Sequence, residues 1–247
     1  MQIKIDINCD MGEIAEAVSD GSQESLMPYI TSANIACGGH AGSEAMMNAT
    51  VQQALRAKVH IGAHPGYPDR ANFGRLPLPM PLEQVTDFVY QQVRTLATIA
   101  ARHGATIHHV KPHGALYNSA VSDTLLSAAI AEGVTRWSKH VILVGLAGSP
   151  MLTIFRAAGC AVTAEAFADR RYEPNGSLRS RHHHDSLITD PALAAQQALH
   201  IVNDGFVTAV DGTKVHISAQ TLCIHGDTPG ALAIVKEISK RLQYEAI

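Results

Sequence analysis

The sequence predicts an α/β fold whose parallel sheet closes into a β/α barrel, and three observations carry that expectation. Short strands, glycine-bearing turns and amphipathic helices recur in a cycle along the chain, the pattern of a parallel sheet with crossover helices. The first strand alternates: Ile3, Ile5 and Ile7 fall on one face, Asp6, Asn8 and then Asp10 on the other. A strand covered by helices on both sides would be apolar on both, so a polar face near the strand end fits the upper interior of a barrel. Finally, 247 residues at 46% hydrophobic content suit one such barrel, expected as a single domain over 1–247.

The strands predicted are, in order, 3–8, 32–37, 59–63, 107–111, 141–144, 162–166 and 221–224, seven in all. The helices expected between them run over 43–57, 82–103, 123–138, 150–158, 191–204 and 230–242. In the second helix Val85, Phe88, Val89, Val93, Leu96 and Ile99 or Ala100 recur at helical spacing, which marks its buried face. Two stretches break the cycle, 66–81 with its prolines and 168–190, and loops of that length inside a compact domain usually serve as lids or binding loops. A hairpin over 207–217, turning at Asp211-Gly212, precedes the last strand.

Charge excludes some function classes. Lys and Arg total 19 against 22 Asp and Glu, scattered without a basic block, so neither nucleic acid nor a membrane surface is expected as a partner. The N-terminus enters a strand pattern directly and no apolar run reaches about 20 residues, which predicts a cytoplasmic protein. Cys9, Cys37, Cys160 and Cys223 lie far apart without a C-x-x-C pair and read as reduced thiols. A homo-oligomer is compatible with the sequence.

The chemistry concentrates after the strands, where α/β folds gather their functional groups. The segments are D-I-N-C-D-M-G-E, A-C-G-G-H-A-G, G-A-H-P-G-Y-P-D-R, V-K-P-H-G-A-L-Y-N, E-A-F-A-D-R-R-Y and C-I-H-G-D-T-P-G-A. The chain holds 14 histidines, and four of them, His40, His64, His113 and His225, sit in these segments beside Gly or Pro. Any one alone reads as a turn residue; parallel strands make them converge at one end. With Asp10, Glu165, Asp227 and Lys111 they form the acid, base and electrostatic elements of a hydrolytic site. Gly38-Gly39, Gly62 and Gly114 would let backbone approach a ligand, or simply serve tight turns.

Other readings compete. Asp10, His40 and His64 offer a carboxylate and two imidazoles, a competent divalent-metal set, although no close-spaced H-E-x-x-H motif accompanies them. Cys9, Cys37 and Cys223 near strand ends could supply a nucleophilic thiol, but buried cysteine as a small hydrophobe is the commoner case. His182-His183-His184 lies in the second long loop and reads as a solvated segment. Neither G-x-x-x-x-G-K-[ST] nor a strand-linked G-x-G-x-x-G occurs, so the chain shows no nucleotide-phosphate loop of its own.

Taken together and in order from Asp6 to Ala231, these segments resemble the LamB/YcsF family. One stretch departs from that pattern: after Ser180-Arg181 the chain reads His182-His183-His184-Asp185-Ser186 in place of a Pro-Gly-Ala segment. The resemblance implies a distorted seven-stranded TIM-like barrel, similar to glycoside hydrolase and deacetylase barrels. It also implies opening of 5-oxo-L-proline to L-glutamate with ATP cleavage by a 5-oxoprolinase, this chain standing as its A subunit beside partner subunits B and C. ATP would then be bound by or with those partners.

For such a reaction Lys111 and turn amides are expected to stabilise the oxyanion or phosphorylated oxygen. Asp10, His40, His64 and His113 would position and deprotonate water, and Glu165 or Asp227 would protonate the departing ring nitrogen. Arg170 is placed on the substrate carboxylate, with Asp6, Asn8, Glu13, Gly38, Gly39, Arg70 and His225 completing the substrate pocket. Two rival functions are a stand-alone metal-dependent deacetylase or amidohydrolase, and a non-catalytic component that binds 5-oxoproline.

Overall fold

The computed structural model describes residues 5–242. Seven parallel strands close a barrel: β1 (Asp6–Met11), β2 (Ser32–Ala36), β3 (His60–His64), β4 (His109–Val110), β5 (Ile142–Leu146), β6 (Ala161–Phe167) and β9 (Thr221–His225), the last pairing with both β6 and β1. The predicted seven-stranded barrel is therefore present. Between β6 and β9 the chain makes the expected hairpin, β7 (Phe206–Thr208) against β8 (Lys214–His216), outside the barrel.

Six helices match their predicted spans: α2 (Glu44–Ala57), α3 (Leu82–Arg102), α5 (Thr124–Trp137), α6 (Met151–Ala157), α7 (Pro191–Leu199) and α8 (Ala231–Arg241). Their starts follow local chemistry. Ser43 accepts a hydrogen bond from the Met46 N–H to begin α2, while Asp123 and Asp190 cap α5 and α7 in the same way. Residues 200–204, read as the end of the fifth helix, form a π-helical turn. Three short elements have no counterpart in the predicted set: α1 (Ala15–Ser19), a 3₁₀ turn over Glu24–Tyr29 and α4 (Gly114–Ala120).

Two details depart from expectation. The first strand runs on to Met11 rather than ending at Asn8, and of its predicted start Ile3 and Lys4 lie outside the described residues. On α3, Val85, Val89, Val93, Leu96, Ile99 and Ala100 are buried as predicted, but Phe88 is 40% exposed. Gln92 occupies the inner face instead, accepting from the Gly66 N–H (3.1 Å) and donating to the Gly66 carbonyl (2.9 Å). That pair fastens the first long loop to the helix.

The apolar core lies between the strands and the helices, where Ile7, Cys9, Ile35, Leu143, Ala166 and Leu222 meet residues such as Val51, Leu96, Ile130 and Ile234. The barrel interior is polar, unlike the branched aliphatic filling usual for the fold. Thr31, Ser32 and Thr221 hydroxyls converge on the Asp6 carboxylate at its base. Above them, Asn8 donates to Thr221 (2.7 Å), Asn34 donates to Asn8 and Asp10 (2.7 Å each), and the His109 ring nitrogen Nε2 meets Asn34 Oδ1 at 2.7 Å. Gly62 exists for that imidazole, because a Cβ there would run into the His109 ring. This glycine makes room for a ring rather than for a ligand.

Candidate active site at the barrel mouth

The polar ladder ends at Lys111, which carries its ammonium into the barrel with 3% side-chain exposure. Its Nζ lies 3.0 Å from Asp10 Oδ1, 3.0 Å from Glu165 Oε1, 3.0 Å from Cys223 Sγ and 3.2 Å from Asn8 Oδ1. An ammonium has three protons, so these four acceptors consume them all. Burial alone would lower the Lys111 pKa, but Asp10, Cys223 and Glu165 outweigh it and raise it well above the usual value. Burial would likewise raise Asp10, yet His64 and Lys111 hold it well below the ordinary carboxylate range. Lys111 thus fixes charge inside the barrel and has no proton to spare for a substrate oxygen while these contacts stand.

Above Asp10 lies a second cluster. β1 leads into Glu13, the turn after β2 presents His40, β3 ends on His64, and His113 stands just before α4. Glu13 Oε1 is 2.8 Å from His40 Nε2, 3.3 Å from His113 Nδ1 and 4.0 Å from His64 Nε2. His113 Nδ1 and His64 Nε2 are 3.0 Å apart, and His40 stacks on His113 with centroids 3.5 Å apart. Burial, then the neighbouring imidazoles, hold His40 and His113 well below the usual histidine range. Burial and the Asp10 charge push Glu13 up to about 8.

The first long loop seals this cluster from one side. Phe73, in the left-handed conformation at φ 55°, accepts a hydrogen bond from His113 Nε2 on its carbonyl (2.9 Å) and sets its ring edge-on to His40 and His113. The approach demands glycine at position 74, where a Cβ would stand 2.6 Å from the Cβ of His40. Arg75 then pairs with Asp227 and ties the loop to the turn after β9.

Across the mouth, at the end of β9, His225 Nδ1 meets Asp169 Oδ1 at 2.9 Å, and Asp169 Oδ2 accepts from the His225 N–H and the Thr228 hydroxyl. Burial would raise Asp169, but the His225 charge and these hydrogen bonds bring it down to about 2. The arrangement leaves His225 Nε2 for proton transfer. A cavity of about 310 Å³ opens beside these groups, walled by Asp10, Glu13, Gly226, Asp227 and Thr228 on its polar side and by Ile14, Leu26 and Leu232 on its apolar side.

The structure thus brings Asp10, Glu13, His40, His64, Lys111, His113, Glu165, His225 and Asp227 to the upper barrel. It does not bring the other predicted residues there. Asp6 and Asn8 sit lower, spent on the internal ladder. Arg70 donates to the carbonyls of Gly38 and Gly42. The Gly38 N–H goes to the Ala41 carbonyl, and a Cβ on Gly39 would clash with Gln92 and with the Gly66 carbonyl at 2.6 Å, so that turn is built for packing. Arg170 is buried and donates to the carbonyls of Ser186 and Arg179, away from the cavity. Glu165, although at the upper barrel, has no side-chain exposure, pairs with Lys111 and is not among the residues that wall the cavity.

All four cysteines are free and buried, and burial first of all raises the Cys9, Cys37 and Cys223 thiols, Cys37 to about 12. Such thiols are poor nucleophiles. His182, His183 and His184 are exposed, as expected of a solvated loop. Asp169 is the functional group that sequence reasoning passed over, although it stands inside the E-A-F-A-D-R-R-Y segment.

The model of the LamB/YcsF family matches residues 5–247. The chain belongs to the LamB/YcsF family. Among LamB/YcsF relatives, the A subunit of the 5-oxoprolinase of Chloroflexus aurantiacus is 50% identical over 93% of this chain and 90% of that protein. The A subunit of the Bordetella pertussis 5-oxoprolinase is 44% identical over 100% of this chain and 98% of its own length. The crystal structure of a lactam utilization protein from Thermus thermophilus superposes with a TM-score of 0.90 at 39% identity, covering 97% of this LamB/YcsF chain and 96% of that one. Among the described residues, no helix is long and apolar enough to cross a membrane.

Proposed function

We propose that this chain is the A subunit of a 5-oxoprolinase, a hydrolase that opens the 5-oxo-L-proline lactam to L-glutamate. The observation that carries the reading is the near full-length identity to proteins of that name. The site is compatible in size: a cavity of about 310 Å³ stands at the small end of ligand pockets, typically about 300–1,000 Å³, and has room for a five-membered ring.

In this reading Asp10, kept ionised by His64 and Lys111, accepts a hydrogen bond from the attacking water and orients it. His225, its Nδ1 held by Asp169, delivers a proton from Nε2 to the ring nitrogen as the C–N bond breaks. Asp227, anchored by Arg75, lies on the same cavity wall as a second polar contact for substrate.

An unstrained lactam is a poor acyl electrophile, which is the chemical reason to couple its opening to ATP. Phosphorylation of the lactam oxygen activates the ring carbon, and water adds there. The C–N bond breaks as the nitrogen takes a proton and leaves an open-chain acyl phosphate, and a second water splits that to glutamate and phosphate. The chain has no phosphate loop, so ATP is assigned to a site formed by or with partner subunits B and C, in a multi-component cytoplasmic enzyme.

The test is conversion of 5-oxoproline to glutamate by the reconstituted complex with ATP. His225→Ala, folded by circular dichroism, is expected to lower kcat by about 10²–10⁴-fold. Turnover near that of the unsubstituted complex would remove His225 from the chemistry. Absence of 5-oxoproline turnover in the unsubstituted complex would remove the functional reading itself.

A further inference from the structure

The cluster above Asp10 has a hydrogen-bonding problem that its own residues do not solve. The His64 Nδ1 lies 2.7 Å from the Lys111 carbonyl, and the His113 Nε2 lies 2.9 Å from the Phe73 carbonyl. A carbonyl only accepts, so both contacts require N–H on the imidazole, and each neutral ring then keeps a lone pair on its other nitrogen. Those two lone pairs, on His64 Nε2 and His113 Nδ1, face each other at 3.0 Å. The Glu13 carboxylate closes on the same point from a third side and His40 Nε2 from a fourth. Of these atoms His40 Nε2 can turn an N–H toward Glu13, but the lone pairs of neutral His64 and His113 stay facing each other with no proton between them. His40 Nδ1, moreover, is buried without a hydrogen-bond partner.

We infer that Glu13, His40, His64 and His113 form a binding site for one divalent transition-metal ion of the Zn²⁺ class. The donor set is three imidazoles and one carboxylate, borderline in softness and suited to such an ion. The donor atoms all lie within 4.8 Å of one another. A tetrahedral site with bonds of about 2.1 Å needs ligand-to-ligand separations of about 3.4 Å, and the separations of 2.8, 3.0, 3.3 and 4.0 Å lie on both sides of that value. The backbone carbonyls on His64 and His113 are the outer contacts that fix a ligand imidazole's tautomer. The Phe73-Gly74 lid and the stacked His40 and His113 rings hold the rest in place.

A neighbouring group, Asp10, Cys223 and His225, also brings its donor atoms within 4.8 Å. It is already satisfied, because the Lys111 ammonium sits on Asp10 and Cys223 and Asp169 takes His225 Nδ1. The upper cluster differs in that, among the described residues, no Lys or Arg is paired with Glu13. A metal there would adjoin the cavity through Glu13, which lines both.

The inference does not rest on the lactam reading, and its test reads metal directly. The full-length chain, stripped with a chelator, is titrated with Zn²⁺ by calorimetry and with Co²⁺ by visible absorption. One equivalent per chain, a rise in Tm on binding and the intense d–d bands of tetracoordinate Co²⁺ are expected. His64→Ala and His113→Ala should abolish the tight equivalent, and Glu13→Gln, which keeps the side-chain shape, should weaken it at least tenfold. A variant with His182, His183 and His184 all replaced by Ala should bind as the unsubstituted chain does. The inference is overturned if the stripped chain takes up no stoichiometric Zn²⁺ or Co²⁺, in which case a shared proton fills the gap between His64 and His113. It is equally overturned if the equivalent survives Glu13→Gln unchanged or disappears with the exposed histidine run.

Discussion

The lower and upper halves of the barrel interior are both polar, both buried and both built on the same strands, yet they differ in one respect. In the lower half donors and acceptors match: three hydroxyls meet the Asp6 carboxylate, and Asn8, Asn34 and His109 form a chain that continues to Asp10. In the upper half acceptors face acceptors around Glu13, His64 and His113. Polarity inside a fold therefore does not by itself mark a site. A closed network has finished its chemistry with itself, whereas an open one is waiting for a cation, a proton or a substrate.

Lys111 stands at the border of the two halves, and removing it is the strongest way to break the contrast. Lys111→Ala leaves the Asp10 and Glu165 carboxylates buried without their counter-ion. Stripping one partner from a buried ion pair typically costs about 3–5 kcal/mol. Denaturant unfolding should show a loss of that size, with lactam-opening activity abolished. A loss under about 1 kcal/mol would mean that the two carboxylates do not depend on the ammonium. The Lys111→Met variant, which keeps most of the stem, separates lost charge from lost volume.

The Asp169–His225 pair sharpens the contrast from the other side of the mouth, since it is closed at Nδ1 and open at Nε2. Its titration has a definite sign. Asp169 is held at about 2 when folded, against about 3.9 for a free Asp, so its contribution is complete above about pH 4 and is lost as pH falls toward 2. A depression of that size amounts to about 2–3 kcal/mol. Acid unfolding of Asp169→Asn should be flatter across that window, and its stability lower at neutral pH. If the acid limb is as steep as in the unsubstituted chain, the carboxylate is not the group that His225 holds down.

Much of this was legible in the sequence, for reasons that also explain what was not. The strands and the longer helices announce themselves by period and by caps such as Ser43, Asp123 and Asp190. Elements of 5 to 7 residues, such as α1 and α4, are too short for a period to emerge. The strand-end histidines were readable one by one; which of them touch was not, because contact depends on strand order. Asp169 meets His225 only because β6 pairs with β9 across the excursion through α7 and the hairpin, 56 residues away in sequence. Asp6 and Asn8 carried the alternation that predicts a barrel and were expected to bind substrate for the same reason. Depth corrects that expectation: at about 3.3 Å per residue along a strand, Asp6 lies about 13 Å below Asp10, at the closed end of the interior.

The smallest expected effect tests the lower half directly. Asp6→Asn keeps one acceptor oxygen and replaces the other with an amide, which the Thr31, Ser32 and Thr221 hydroxyls can meet by rotating, since each both donates and accepts. The cost should be about 1 kcal/mol, the worth of an ordinary hydrogen bond, read as a small shift in the denaturation midpoint. Metal uptake and lactam opening should stay at the level of the unsubstituted protein. A large loss of activity without a matching loss of stability would show that the base of the barrel is coupled to its mouth through Asn8, Asn34 and Asp10, and the two halves would have to be treated as one continuous site.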